Sequence, residues 1–204
     1  MVGVSGVSLS VVGDLGFTEA VCATDAVSEH AAELETILGV GPAMDALAEG
    51  DPVLVADVSR PARPCRWPRL DAVLSPLGVV ALFAFPLFAA NVTVGVLELY
   101  RTRPGGLTGP EVADAEMLAE AAMELIVDLG AADPGQPQGL RLGPLDPQWV
   151  TINQAVGVVS SQLHSGLTEA YLRLRAHAFL SGHRLLQTAE AVLAGDLRFT
   201  ADRW

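Results

Sequence analysis

The chain contains no lysine, only two cysteines and few aromatic residues: Phe, Trp and Tyr make up 5% of its 204 residues. Cys22 and Cys65 can form neither a disulfide framework nor a four-cysteine zinc site, and their spacing matches no redox motif. The 12 basic residues are all Arg and face 24 acidic residues, which gives a formal net charge of -12. That charge disfavours a generic nucleic-acid coat and a protein that binds membrane surfaces.

The longest uncharged run does not have the composition of a membrane span. Residues 72–97 carry no charge, and by length alone they could form a transmembrane helix. Pro76 and Pro86 would break that helix, whereas two strands joined by a turn accommodate them. No basic residue precedes Arg60, so the charged start of a signal peptide is missing. We therefore expect a soluble cytoplasmic protein without a membrane segment.

Half of the residues are apolar, enough for one large or two modest cores. Residues 1–144 hold 7 arginines and 19 acidic residues, whereas residues 145–204 hold five of each. Three Pro and three Gly within residues 131–144 are typical of a linker. These features predict a first domain at 1–130, a linker at 131–145, a helical domain at 146–197 and a tail at 198–204.

Strand and helix patterns alternate in the first predicted domain. Apolar and β-branched runs with turn residues between them predict five strands, at 4–12, 17–23, 52–57, 79–88 and 92–100. Asp25 is placed to cap a helix that Gly39 ends, and shorter helices are predicted at 44–48 and 70–74. The pattern indicates an α+β domain, with one antiparallel sheet flanked by helices.

The helix that closes this domain has the clearest local signature. Thr108 followed by Glu111 is a capping box, in which hydroxyl and carboxylate each satisfy an orphan backbone donor. Behind it an apolar stripe recurs every three or four residues over about two heptads, fewer than a coiled coil needs. The stripe could pack on its own domain or form a dimer seam. The predicted seam residues are Ala115, Leu118, Ala122, Leu125 and Leu129.

Four segments resemble bacterial GAF domains, over roughly residues 1–130. They are Leu-Gly-Val-Gly-Pro-Ala-Met-Asp-Ala-Leu-Ala-Glu-Gly-Asp-Pro-Val-Leu-Val-Ala-Asp-Val at 38–58, Arg-Trp-Pro-Arg at 66–69, Phe-Pro-Leu at 85–87 and Gly-Val-Leu-Glu-Leu-Tyr at 95–100. The resemblance implies a GAF-like sensor domain. It implies no particular ligand, because GAF modules bind different small molecules or none, so the ligand-binding residues stay unassigned.

The last part of the chain resembles the ANTAR domain, the three-helix RNA-binding module of transcription antiterminators. The matching segments are 152–160, 170–178 and the third-helix stripe of Leu185, Ala189 and Val192. Val156 stands where the family has Lys, and Ser160 where it has Met. The order GAF then ANTAR is a familiar arrangement. The resemblance implies a module that binds tandem hairpin loops in a leader transcript and prevents a terminator stem from forming.

The residues themselves predict three short helices in this part. Asp146 with Pro147 can open the first and Thr168 can cap the second, where Leu172 and Phe179 are expected to broaden the inner stripe. Arginines offer phosphate contacts, aromatic rings offer stacking surfaces and amides can bond base edges of an unpaired loop. The candidate RNA-binding residues are Asn153, Gln154, Gly157, Tyr171, Arg173, Arg175, His177 and Arg184.

No constellation predicts catalysis. The four His residues form no ligand pair with a third group nearby, so no metal site is expected. Some GAF-fold enzymes reduce methionine sulfoxide with cysteines, but Cys22 and Cys65 lack a resolving set. We predict a dimeric, non-enzymatic regulator without a cofactor, whose partners are RNA hairpin loops, a second copy and an unknown ligand of the GAF domain. The alternative is a signalling scaffold that binds no RNA, with a GAF domain that takes a small molecule or a protein.

Overall fold

A computed structural model of the chain describes residues 3–13, 16–60, 66–67, 69–131 and 147–200, without the side chains of 128–131 and 147. The chain divides into two compact units, Met1–Gly143 and Pro144–Trp204. In the described residues, every helix is too short or too polar to cross a membrane. The predicted linker, Asp146 and Cys65 lie outside the described residues.

Unit 1 is built on a five-stranded antiparallel sheet with the strand order β2-β1-β5-β4-β3. Its strands are β1 (Gly6–Val12), β2 (Thr18–Ala23), β3 (Val53–Val55), β4 (Ala81–Ala89) and β5 (Val92–Arg101). Its helices are α1 (Ala26–Leu38), α2 (Pro42–Glu49), α3 (Leu70–Leu74) and α4 (Gly109–Ala131). The predicted α+β class with helices flanking an antiparallel sheet is therefore confirmed for this unit.

Helices cover both faces of the sheet. Along β4, Phe83, Phe85 and Leu87 pack on the side of α4, whereas Leu82 and Ala84 face the side of α1, α2 and α3. A central strand that is buried on both faces carries no polar alternation. This explains the uncharged run at 72–97, which forms α3, a 3-10 turn, β4 and the first half of β5.

The local signals at the helix ends are confirmed. Asp25 Oδ1 accepts hydrogen bonds from the backbone N–H groups of Val27 (2.9 Å) and Ser28 (3.0 Å), which fixes the start of α1. Gly39 ends that helix in the left-handed region, at φ 68°. The strand predicted at 52–57 is shorter, because Asp57 turns to accept the N–H of Ser59 at 3.0 Å.

The predicted seam on α4 is split between two faces of the helix. The capping box forms, since Glu111 Oε2 accepts the N–H of Thr108 at 2.8 Å. Ala115 is fully buried under the sheet and Ala122 is half-buried there, whereas Leu118 and Leu125 are 51% and 63% exposed. The side chain of Leu129 lies outside the described residues. The five residues therefore do not form one continuous exposed stripe.

Unit 2 consists of α5 (Pro147–Leu163), α6 (Leu167–Ser181) and α7 (Leu185–Ala194) in its described part. Each helix contributes a stripe to a shared core: Ile152, Ala155, Val156 and Val159; Ala170, Leu174 and Ala178; Leu185, Ala189 and Val192. Two expectations were wrong. The N-cap of α6 is Gly166 rather than Thr168, and Leu172 is 42% exposed instead of broadening the core.

Candidate functional site

Three of the candidate RNA-binding residues on α6 are engaged inside unit 2. Tyr171 is fully buried, so its ring offers no stacking surface in this structure. Arg175 interacts with Tyr171, and burial lowers the pKa of its guanidinium group. The ring of His177 packs edge-on against Phe199, with 5.6 Å between the ring centroids.

The described end of the chain is attached to the same helices. Phe199 is buried, and its backbone N–H donates to Gln162 Oε1 at 2.9 Å. Residues from 198 onward were predicted as a tail outside the helical domain. Phe199 instead completes the core between α5 and α6, next to His177.

Two other candidates lie on the exposed face of α5. Gln154 and Gly157 are both exposed and stand one turn apart, and Asn153 beside them is half-buried. A Cβ added to Gly157 would meet no atom within 4 Å, so packing within the unit does not require a glycine there. This face presents an amide and a bare stretch of helix backbone to solvent.

The remaining candidates are partly exposed arginines. Arg173 forms an ion pair with Glu169 one turn earlier on α6, with 3.5 Å between Nη2 and Oε1. Arg184 precedes α7, and its backbone N–H donates to Gln187 Oε1 at 3.0 Å. Val156, at the position where the resembled family has Lys, is fully buried in the helical core.

In unit 1, α4 carries a second apolar face that its own sheet does not cover. Met117, Leu118 and Leu125 are 67%, 51% and 63% exposed, and Ala121 lies between them. The core face of α4 uses Ala115, Ala119, Met123 and Ile126 instead. Leucines at 118 and 125, two turns apart on one face, are typical of a helix that packs against another helix.

A groove of about 880 Å³ lies between α4 and the end of β4. Phe85, Phe88 and Met123 supply apolar lining, and α4 contributes three carboxylates at successive turns, Glu116, Glu120 and Glu124. No pocket was predicted from the sequence. The groove is the candidate ligand cavity in the described part of the domain.

The opposite face of the sheet holds a buried pair of carboxyl groups that the sequence analysis also missed. Glu35 of α1 is 0% exposed and Glu98 of β5 is 3% exposed, and the two carboxyl groups are close enough to affect each other's ionisation. Burial raises the pKa of Glu98 to about 7. Burial and the charge of Glu98 raise the pKa of Glu35 well above its usual value.

Polar groups on neighbouring elements extend this pair. Glu35 Oε2 accepts the N–H of Ala43, in the first turn of α2, at 2.8 Å. Asp45 lies two residues after Ala43 on α2. It accepts the indole N–H of Trp67 at 2.7 Å and pairs with Arg66 Nε at 2.6 Å. Arg66 also binds Glu49, at the end of α2. The segment at 66–67 is therefore fastened to α2 by charged groups.

The described residues contain no group of three or more His, Cys, Asp or Glu that could hold a metal ion. Cys22 lies on β2, and desolvation raises the pKa of its thiol, which disfavours the reactive thiolate. The expectation of a protein without enzymatic activity stays a prediction.

Among the solved structures similar to unit 1, one with a TM-score of 0.50 supports its fold. A domain described as part of a two-component sensor histidine kinase from Sinorhizobium meliloti 1021 is 23% identical with a TM-score of 0.50, over 63% of this chain and 82% of that one. A free methionine-R-sulfoxide reductase from Thermoplasma acidophilum is 15% identical with a TM-score of 0.47, over 61% and 80%. A GAF domain of a phosphoenolpyruvate-protein phosphotransferase from Coxiella burnetii is 17% identical with a TM-score of 0.48, over 63% and 74%.

No match was found among curated proteins. The family model of the GAF domain matches residues 5–127, which is more than half of the chain and contains the whole described sheet. The match ends within α4 and leaves the helices of unit 2 unassigned. The chain belongs to the GAF domain family.

Proposed function

We propose that this chain is a cytoplasmic, non-enzymatic regulator in which the GAF domain controls the three C-terminal helices, and that these helices bind hairpin loops of a leader transcript. The resemblance of 152–160 and 170–178 to ANTAR domains supports this function. The observation that carries it in the structure is the exposed glycine at 157 beside exposed Gln154.

Gly157 lowers the stability of α5, and packing within unit 2 does not explain why a glycine stands there. Glycine in the middle of a helix is about 1 kcal/mol less favourable than alanine. The space where a Cβ would stand is empty, so alanine would fit without displacing anything. A close approach of another molecule to the α5 backbone accounts for the glycine, because only glycine lets a sugar or phosphate lie directly against a helix.

The side chains around Gly157 suit an unpaired loop. The amide of exposed Gln154 can donate to and accept from base edges, which RNA loops expose when their bases are splayed out, whereas Oδ1 of Asn153 is buried. Arg173 and Arg184 supply charge for phosphate groups. Three phosphate contacts on single-stranded RNA give a salt slope of only about -2, so one module binds weakly.

A second copy would strengthen this binding. The exposed apolar face of α4, formed by Met117, Leu118, Ala121 and Leu125, is suited to pair with the same face of another chain. Two tethered modules on two adjacent hairpins raise the overall affinity through effective concentration. We therefore include a homodimer and a signal passed along α4 in the proposal.

A gel-shift series with a two-hairpin RNA tests the proposal. Gly157→Ala is expected to weaken binding at least tenfold while the fold is retained, because the added methyl group blocks the close approach. Gly166→Ala is the matched control: that glycine precedes α6, has a negative φ of -67° and equally open space. Unchanged binding in Gly157→Ala, or no binding by the wild type at low and moderate salt, contradicts the proposal.

One observation favours the alternative of a scaffold that binds no RNA. Tyr171 is buried and His177 packs on Phe199, while Leu172 and Leu180 on the same helix are 42% and 66% exposed. Such an apolar face is suited to pair with protein rather than nucleic acid. A chain that remains dimeric but leaves every hairpin probe unbound would identify this alternative.

A further inference from the structure

The buried carboxyl groups of Glu35 and Glu98 require a proton. A carboxylate only accepts hydrogen bonds, so two carboxyl groups can bond to each other only when at least one of them is protonated. Glu35 Oε1 and both oxygens of Glu98 are buried and have no hydrogen-bond partner in the described structure, so no donor there compensates a negative charge on them. The packing of this core therefore depends on a bound proton.

This proton lies where three elements meet. Glu98 belongs to the central strand β5, and Glu35 belongs to α1. Glu35 also accepts the Ala43 N–H and so caps the first turn of α2 in place of a local residue. A Cβ on Gly41 would collide with the Glu35 carboxyl group, so the backbone at Gly41 lies too close to this group for any residue other than glycine. One side chain thus joins α1 to α2 on this face of the sheet.

The groups that surround the pair do not neutralise a negative charge. Ser8 and Ala84 stand opposite Glu98 on the neighbouring strands β1 and β4, and neither is charged. Asp45 of α2 adds a further negative charge near Glu35. The cation of this corner, Arg66, is bound by Asp45 and Glu49 rather than by the pair.

Further along the same face, Tyr100 of β5 donates to Asp25 Oδ1 at 3.2 Å. This contact adds a carboxylate and no cation to the surroundings of the pair. In the described part of the chain, neither Glu35 nor Glu98 has a cationic partner. A fully ionised pair would thus be two uncompensated buried anions, which are strongly unfavourable.

We propose that the Glu35–Glu98 pair is a proton-operated latch of the sensor domain: with its shared proton it fastens α1 and α2 to β5, and without that proton the two anions repel and this corner loosens. The latch belongs to unit 1 and does not depend on RNA binding by unit 2. It makes the proton an input of the GAF domain, in addition to any ligand.

The latch operates around neutral pH. Burial raises the pKa of Glu98 to about 7, and burial together with the charges of Glu98 and Asp45 raises the pKa of Glu35 well above its usual value. The pair therefore still holds a proton at a pH where ordinary carboxyl groups are ionised, and it loses that proton as the pH rises further. Loosening of α2 carries Trp67 with it, because the Trp67 indole is bonded to Asp45 on that helix.

Fluorescence of Trp67 tests the latch in the full chain. With Trp149→Phe and Trp204→Phe, Trp67 is the remaining tryptophan. Between pH 6 and pH 9 its emission is expected to shift to the red as water reaches the ring. Glu98→Gln should abolish this shift, because the glutamine amide donates to the Glu35 carboxylate at any pH. Glu190→Gln, at an exposed residue of α7, is the matched control and should keep the shift.

A shift that persists in Glu98→Gln, or no shift in the protein with Glu98, would overturn the latch. An infrared spectrum of the wild type at pH 7 keeps the test independent of that variant's folding. It should contain the carbonyl band of a protonated carboxyl group, at a pH where exposed carboxylates are ionised. Absence of the band would also overturn the latch, while the gel shift at constant pH tests RNA binding separately.

Discussion

The two units place their polar chemistry in opposite locations. Unit 1 buries carboxyl groups at Glu35 and Glu98 and a guanidinium group at Arg101, within a core covered on both faces by helices. Unit 2 buries mostly apolar side chains, and its glycine and amides at 157 and 154 are exposed. The difference places the ionisable groups of the proposed latch in the interior of unit 1, whereas the recognition proposed for unit 2 takes place on its surface.

Arg101 shows how unit 1 stabilises a buried charge when partners are present. Its guanidinium group pairs with Glu111 at 2.6 Å and donates to the carbonyl oxygens of Gly3 (2.7 Å) and Gly106 (3.0 Å). Hydrogen bonds from the Thr108 backbone and side chain lower the pKa of Glu111 to about 2. Charges that are bonded on all sides fix a structure, whereas the Glu35–Glu98 pair lacks such partners and so can respond to protons.

The largest expected effect concerns stability against pH. The pKa of Glu98 is about 7 in the folded chain, above its unfolded value of 4.5, so the unfolded state releases the proton first as the pH rises. The wild type should therefore lose about 3 kcal/mol of stability between pH 4.5 and pH 7, at about 1.4 kcal/mol for each pKa unit. Urea unfolding of wild type and Glu98→Gln, followed at Trp67, measures this difference.

The part of that loss that belongs to Glu98 should be missing in Glu98→Gln, since glutamine does not titrate, whereas the buried Glu35 still titrates. Glu190→Gln controls for the removal of one exposed carboxylate, and it should retain the wild-type slope. Equal slopes of stability against pH in wild type and Glu98→Gln would show that Glu98 does not make unit 1 sensitive to pH. The difference drawn between the two units would then be wrong.

The second prediction concerns the exposed face of α4. Leu118→Asp with Leu125→Asp should convert the dimer into monomers, because the change places two charges at the centre of the proposed interface. Light scattering reports the mass. Val92→Asp, which replaces an apolar residue that is 64% exposed on β5, is the control and should leave the dimer intact.

A mass that is unchanged in the double α4 variant would contradict the interface. Both leucines are largely exposed, so the stability of each folded chain should change little. A loss of dimer together with a loss of fold would show that α4 needs these residues for its own packing instead.

The smallest expected effect is a gain in stability. Gly157→Ala should stabilise unit 2 by about 0.5–1 kcal/mol, because alanine is the better helix former and the position is open. Thermal unfolding measures the gain, with Gly166→Ala as the companion variant. A loss of stability would show that the folded unit itself needs the glycine, and would remove the argument for an approaching ligand.

Much of the fold could be predicted because its signals are local. Asp25, Gly39 and the capping box at Thr108 each fix a helix end through neighbours in the sequence. The two faces of α4 could not be separated, because apolar residues lie on most sides of that helix and the sheet alone decides which side is covered. The heptad spacing therefore joined Ala115, which is buried, to Leu118, which is exposed.

The buried carboxyl pair had no local signal. Glu98 alternates with Leu97 and Leu99 in the pattern of a strand with one solvent face, and Glu35 is an ordinary residue of an amphipathic helix. Only the second layer of helices buries them. The position of Glu98 in the central strand of a sheet predicted to have helices around it was the available hint.

The anchoring of Phe199 has a practical consequence for anyone who shortens or tags this protein. Deleting the last six residues would remove the Phe199 ring that packs against His177 and the backbone N–H that donates to Gln162. A cavity would remain next to these two residues. An affinity tag or a fluorophore is better attached beyond Trp204 than in place of these residues.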